Sequence, residues 1–188
     1  VTFNGNISLE GITLSARFNI VNSYFDGKQL LIKNCLLKDY ADSTDWFKCT
    51  YGSVTIDKSF VFNNKPTQWG LNVLLFASSG KLNLKDSVFV DNYSRSNGGA
   101  ISIDNQNSES EVVNCVFYGN QAFFNGGALS LSQGSVSCFN TIFWGNECGA
   151  YNHGEEIYVD YGSSIEFNNC IVRGWDNGWQ STELYNNG

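Results

Sequence analysis

The stretch that decides the fold runs from Glu111 to Asn146: EVVNCVFYGNQAFFNGGALSLSQGSVSCFNTIFWGN. It contains one phrase twice. The first copy is Asn114-Cys115-Val116-Phe117-Tyr118-Gly119-Asn120, and the second is Asn140-Thr141-Ile142-Phe143-Trp144-Gly145-Asn146. Between them lies Gly126-Gly127-Ala128-Leu129-Ser130-Leu131, which has its own earlier copy in Gly98-Gly99-Ala100-Ile101-Ser102-Ile103. A phrase that returns at a fixed interval means that one supersecondary unit is stacked on itself.

Working outward, the residue after each turn asparagine or its equivalent serves as an anchor. The anchors are Ile12, Cys35, Ser59, Ser87, Cys115, Thr141 and Cys170, spaced roughly 23 to 29 residues apart, a solenoid period. Before each anchor a short segment alternates: Leu30/Ile32, Val54/Ile56, Leu82/Leu84, Val136/Cys138, Ile165/Phe167. Period two places these side chains on one inward face. Two residues after each anchor a second inward column forms: Leu14, Leu37, Val61, Phe89, Phe117, Phe143 and Val172. A third strand follows the Gly-Gly corners, with Phe18/Ile20, Phe47/Cys49, Ile101/Ile103, Leu129/Leu131 and Ile157/Val159 inward and Ala100, Ala128, Glu156, Ser102 and Ser130 among the outward positions. Asn64, Asn92, Asn120 and Asn146 fall at one equivalent place in four successive laps, where stacked side-chain amides can bond along the axis.

The expected fold is therefore all-β: a right-handed parallel β-helix with three short strands per coil and about six to seven coils. At about 4.8 Å per coil this makes a rod of about 30 Å. Residues 1–188 are expected to form a single β-helix domain, a fragment or repeating unit of a longer extracellular solenoid.

Composition agrees and narrows the function. Aromatic and β-branched residues are plentiful, glycine numbers 19 and proline 1, and no long helical period survives. The net charge of −7 is spread without a basic cluster, which excludes a nucleic-acid partner. No apolar run approaches the roughly 20 residues of a membrane helix, so this chain is expected to make no membrane insertion. Six cysteines in an acidic, methionine-free chain fit an extracellular or cell-surface setting. Of these, Cys115 and Cys138 both point inward near one corner in neighbouring laps, and a bridge between them is geometrically conceivable. Cys35, Cys49 and Cys170 read as free core thiols.

The pairing of GGA[I/L] with FxxN, in Phe89–Asn92, Phe117–Asn120 and Phe143–Asn146, resembles the repeats of the chlamydial-type polymorphic outer-membrane proteins. The match is good from about Leu82 to Val159. The first three laps lack GGA, and the last replaces it with Gly154-Glu155-Glu156. The resemblance implies a surface-exposed structural or adhesive role and no catalytic residues.

The competing reading is a fragment of a polysaccharide lyase or hydrolase of the pectate-lyase kind. Such sites need carboxylates and a basic group on the strand after the Gly-Gly corner. There the outward positions are mostly small and neutral; Asp104 and Asp160 lie two laps apart, and no arginine joins them. His153 is the single histidine, beside Cys148 in a loop, and is expected to bind no metal. No catalytic, cofactor-binding or metal site is expected. Sugar stacking on Trp46, Trp69, Trp144, Trp175 or Trp179 leaves carbohydrate open as a partner.

The sharpest expectation concerns the strand after each anchor. One outward row reads Leu36, Phe60, Val88, Val116, Ile142 and Ile171; the next reads Lys38, Phe62, Val90, Tyr118, Trp144 and Arg173. A strand facing water alternates with polar residues, and these rows do not. They are expected to form an interface of several hundred Å² with a second copy or a neighbouring surface protein. The tail Trp175–Gly188 is the competing cover.

Overall fold

The computed structural model describes residues 6–15, 20–22, 29–149, 154–173 and 184–186. The described chain is a β-solenoid whose strands pair in parallel throughout. It makes about five turns, slightly fewer than the six to seven expected. Lap by lap, Leu14 registers with Leu37, Leu37 with Val61, Val61 with Phe89, Phe89 with Phe117, Phe117 with Phe143, and Phe143 with Val172. The inward column is thus the one the spacing predicts. All its members are buried except Val172, which is half-buried at the end of the described rod.

Each lap passes through up to three sheets. The seven-stranded sheet collects the post-anchor strands, including Leu36–Lys38, Phe60–Phe62, Val88–Val90, Val116–Tyr118 and Ile142–Trp144. A three-stranded sheet joins Tyr93–Ser94, Gln121–Ala122 and Glu147–Cys148. The third sheet, with ten strands, differs from expectation. The strand after the Gly-Gly corner and the strand before the next anchor are one continuous strand in Phe47–Asp57, Leu74–Lys85, Ile101–Val113 and Leu129–Phe139. The corner expected between them is only a bend. Gly52 and Gly134 adopt φ of 87° and 98° within two of these strands, and the pairing slips at Cys49/Tyr51 and at Asp104/Glu109. A bulge of this kind bends a strand without ending its ladder.

The true corners are left-handed. Asn34, Lys58, Asp86, Asn114, Asn140 and Asn169 all have φ between 48° and 54°, each just before its anchor. Asp39, Asn63, Asp91, Gly119 and Gly145 are also left-handed, with φ between 52° and 69°, on the far side of the seven-stranded sheet. Asparagine, aspartate and glycine tolerate this region better than other residues, which is why the repeat is rich in them. The Gly-Gly corner is tighter still. Gly98, Gly126 and Gly154 have positive φ, and a Cβ on Gly99 or Gly127 would collide with the backbone of the next lap.

The core is a stack of like on like. Phe89 and Phe117 have ring centroids 4.8 Å apart at 11°, and Phe117 and Phe143 lie 4.7 Å apart at 5°. These separations match the strand spacing within a sheet, so parallel register itself sets the ring stack. The inward assignments Phe47/Cys49, Ile101/Ile103, Leu129/Leu131 and Ile157/Val159 hold. The expected pair Phe18/Ile20 has side chains outside the described residues. Five outward assignments fail, beginning with Ala100, Ala128 and Glu156, which are buried. The left-handed glycine two residues earlier turns the chain so that this column faces inward. Ser102 and Ser130 are also buried.

Candidate functional site

Two arrangements rise from this scaffold: a polar spine inside the rod and an apolar face outside it. The spine begins with the anchors. Cys35 N donates to Ser59 Oγ at 3.1 Å, Ser59 N to Ser87 Oγ at 3.1 Å, and Cys115 N to Thr141 Oγ1 at 3.3 Å. The hydroxyls donate in turn to Asp57 O, Lys85 O and Phe139 O. Cys35 and Cys115 fill the same column and donate their thiols to the corresponding carbonyls of Lys33 and Val113. Cysteine here is a hydroxyl substitute in a corner ladder.

All six cysteines are free thiols in the structure, so Cys115 and Cys138 stand unbridged. Cys115 Sγ donates to the carbonyl of Val113, two residues before it in the same corner. Burial pushes the Cys49 thiol up to about 12 and that of Cys115 to about 11, and drives Cys138 well above the ordinary thiol range. Thiols so buried hold little thiolate, the nucleophilic form.

The second part of the spine is the asparagine ladder. Asn64 Nδ2 donates to Asn92 Oδ1 at 2.9 Å, Asn92 Nδ2 to Asn120 Oδ1 at 2.9 Å, and Asn120 Nδ2 to Asn146 Oδ1 at 2.8 Å. Each Oδ1 also accepts the backbone N–H of the preceding rung, and each Nδ2 also donates to a strand carbonyl: Leu37 O, Val61 O, Phe89 O and Phe117 O. All four asparagines are at most 1% exposed, so these bonds replace water entirely. A glycan on the sequon asparagine Asn92 is incompatible with this rung.

The ladder is directional, since every amide gives toward the C-terminal end. Its last amide, Asn146, needs an acceptor that no further described asparagine offers. Glu156 supplies it. Its carboxylate accepts from Asn146 Nδ2, from Asn146 N at 3.2 Å and from Gly145 N at 2.8 Å. Burial raises the Glu156 carboxyl above its ordinary value, and the Asn146 and Gly145 donors pull it partly back. The departure from GGA to Gly-Glu-Glu in the last lap thus has a structural reason. Glu156 sits in the column of Ala100 and Ala128, where a longer side chain reaches the final rung. At the other end Asn64 Oδ1 accepts from Tyr40 N at 3.1 Å. Sequence reasoning missed Glu156; the signal was present, an acidic pair at the one corner where the ladder runs out.

The outer face is the seven-stranded sheet. Phe60, Tyr118, Ile142, Trp144 and Ile171 are exposed, Tyr118 and Ile171 to 53% and Trp144 to 49%. Leu36, Phe62, Val88, Val90 and Val116 are half-buried, because each is flanked by its neighbours in register one strand away. Both rows are therefore outward as predicted and form one surface. Lys38 and Arg173 stand at its two ends, and no carboxylate lies in either row. Of the tail proposed as a cover, Leu184–Asn186 pairs with Ser164–Asn168 in the ten-stranded sheet, and residues 174–183 and 187–188 lie outside the described residues.

On the ten-stranded sheet the candidate carboxylates do not form a pair. Asp104 registers with Gln133 across the bulge, while Asp160 N donates to Leu131 O and Asp160 Oδ1 accepts from Tyr161 N. His153, Trp175 and Trp179 lie outside the described residues. Among the described residues no three His, Cys, Asp or Glu side chains gather as a metal site, and no helix is long and apolar enough to cross a membrane.

Residues 86–104 match the family model of the Chlamydia polymorphic membrane protein repeat. The match spans the corner at Asp86, the strand Val88–Val90, the rung Asn92 and the Gly98-Gly99 corner, about two thirds of the lap that runs from Asp86 to the equivalent corner at Asn114. The chain thus carries a polymorphic outer-membrane-protein-like repeat, a repeat type of cell-surface proteins. No curated protein and no solved structure matches the chain.

Proposed function

We propose that this chain is a non-catalytic surface module that self-assembles laterally, two copies meeting through the apolar face of the seven-stranded sheet. The observation that carries the reading is that face: two outward rows, apolar in nearly every lap, with Phe60, Tyr118, Ile142, Trp144 and Ile171 exposed. Its chemistry suits a second copy. The chain carries a net charge of −7, yet two such faces can meet without burying a single carboxylate. A row repeated at every strand is self-complementary about a two-fold axis, the commonest symmetry of soluble oligomers. Two sheets packed this way sit about 10 Å apart with their side chains interleaved.

The test is Tyr118→Lys combined with Ile142→Lys, both exposed positions. The wild type is expected to scatter light as a species of twice 20.9 kDa, and the double variant as a monomer with an unchanged circular dichroism spectrum. A wild type that is monomeric at tens of micromolar, or a variant of unchanged mass, overturns self-association. A monomeric wild type that still coats cells through this face would assign it to a different surface protein.

A further inference from the structure

At the corner between the seven-stranded and three-stranded sheets runs a groove formed by two adjoining concavities of about 320 Å³ and 160 Å³, which share Tyr93 and Gln121. It opens because the corner column changes residue type. Asp91 holds the left-handed corner in one lap, and Gly119, with no side chain, holds it in the next. The floor is aromatic: Phe62 at one end, Tyr93 at the centre, Phe123 at the other.

The polar groups around this floor are unspent. Lys65, Asp91, Gln121 and Glu147 are all exposed, and among the described residues their side chains make no hydrogen bond or ion pair. Register sets their spacing. Tyr93 pairs with Gln121 and Gln121 with Glu147, so a ring, an amide and a carboxylate follow one another at about 4.8 Å intervals along the groove.

The aromatic floor is also held in place. The Arg95 guanidinium lies 5.9 Å from the Tyr93 ring centre and 5.6 Å from that of Trp69, and the Arg95 Nε is buried without a hydrogen-bond partner. Trp69 in turn meets Phe123 edge-on at 4.2 Å while remaining 61% exposed. Cation–π contact to Tyr93 and Trp69 and the edge-on contact of Trp69 with Phe123 thus join the three rings into one pre-formed wall.

We infer that this groove binds a neutral oligosaccharide. Flat rings flanked by a free amide and free carboxylates match the two surfaces of a pyranose, whose C–H face stacks on aromatics and whose hydroxyls both donate and accept. A carboxylate accepts from hydroxyls, and the Gln121 amide can do either. Two carboxylates against one ammonium disfavour uronates and sulfated chains. The site lies away from the strand after the Gly-Gly corner and does not depend on the dimer face, although Phe62 borders both.

The experiment is isothermal titration with cellotetraose and chitotetraose as neutral probes and tetragalacturonate as the acidic comparator. Gln121→Ala and Glu147→Ala remove exposed side chains only, and Tyr161→Ala removes an aromatic that is 83% exposed elsewhere. Saturable binding of a neutral probe is expected, weakened at least tenfold in both groove variants and unchanged in Tyr161→Ala, with tetragalacturonate weaker. Three results each overturn the inference: no saturable binding of either neutral probe, binding unaffected by both groove variants, or tighter binding of tetragalacturonate. Because the dimer test reads mass and this one reads sugar affinity, either can fail alone.

Discussion

Replacing Asn120 by alanine tests whether the buried ladder holds the laps together. Asn120 makes four side-chain bonds: it accepts from Asn92 N at 3.1 Å and Asn92 Nδ2 at 2.9 Å, and donates to Asn146 Oδ1 at 2.8 Å and Phe89 O at 2.9 Å. Truncation does not affect the partners equally. Asn92 Nδ2 keeps Val61 O, and Asn146 Oδ1 keeps the Asn120 backbone N–H. The Asn92 backbone N–H loses its acceptor at a residue only 1% exposed. An orphaned buried donor costs about 1–3 kcal/mol, and each bond lost by a partner that retains another costs about 0.5–1.5 kcal/mol. With the bonds to Asn92 Nδ2, Asn146 Oδ1 and Phe89 O also lost, the expected total is about 2.5–7.5 kcal/mol, comparable with a large core truncation. The control is Asn114→Gly in the exposed corner ladder, where Asn114 Nδ2 donates to Asp86 Oδ1 at 2.9 Å and Asn114 Oδ1 accepts from Asn140 Nδ2 at 3.1 Å. Water replaces those partners and glycine suits the corner, so about 1 kcal/mol or less is expected. The assay is urea unfolding followed by tryptophan fluorescence, with amide hydrogen exchange at Asn92 as the local reading. If both variants shift the midpoint equally, or if the Asn92 amide stays protected in Asn120→Ala, the ladder is a consequence of stacking and not a cause of it.

Two further outcomes follow from the core and its cap. Phe117→Ala removes the middle ring of a three-ring stack at zero exposure and is expected to cost about 3–5 kcal/mol in the same unfolding assay; a change within error would mean that the register is wrong. Glu156 has its carboxyl raised by burial, so the folded state holds its proton more tightly than the unfolded chain. Its contribution is therefore fully present below the unfolded value, about 4.3, and is lost as pH rises through the folded value. Measured against the non-titrating Glu156→Gln, the wild type should lose relative stability as pH rises above about 4; a relative gain would show that the Asn146 and Gly145 donors outweigh burial.

Much of this molecule was legible because a parallel solenoid turns sequence period directly into spatial register. Once Phe89, Phe117 and Phe143 recur with the same neighbours, they must stack, and Asn92, Asn120 and Asn146 must form a column. Period-two alternation then places Val116 and Ile142 outside. The difficulties came where backbone conformation breaks the alternation. Ala100, Ala128 and Glu156 follow a left-handed glycine that resets the phase, so counting by twos assigned them to the wrong side. The bend at Gly52 and Gly134 falls where three strands per coil imply a corner, and only the hydrogen-bond ladder distinguishes a bulge from a turn.

From the sequence alone came the architecture, the inward aromatic column, the asparagine ladder and the two apolar rows, all properties of position within a repeat. The tertiary structure decided what is not periodic. Cys115 engages the Val113 carbonyl instead of a second sulfur, because the corner column it occupies is a hydroxyl-type ladder. Glu156 ends the amide ladder, although ten residues of chain separate it from Asn146. Tyr93, Gln121 and Glu147 line one groove that Arg95 and Trp69 brace from a loop. Each depends on side chains meeting across laps at places where the repeat departs from itself, and a period cannot specify its own exceptions.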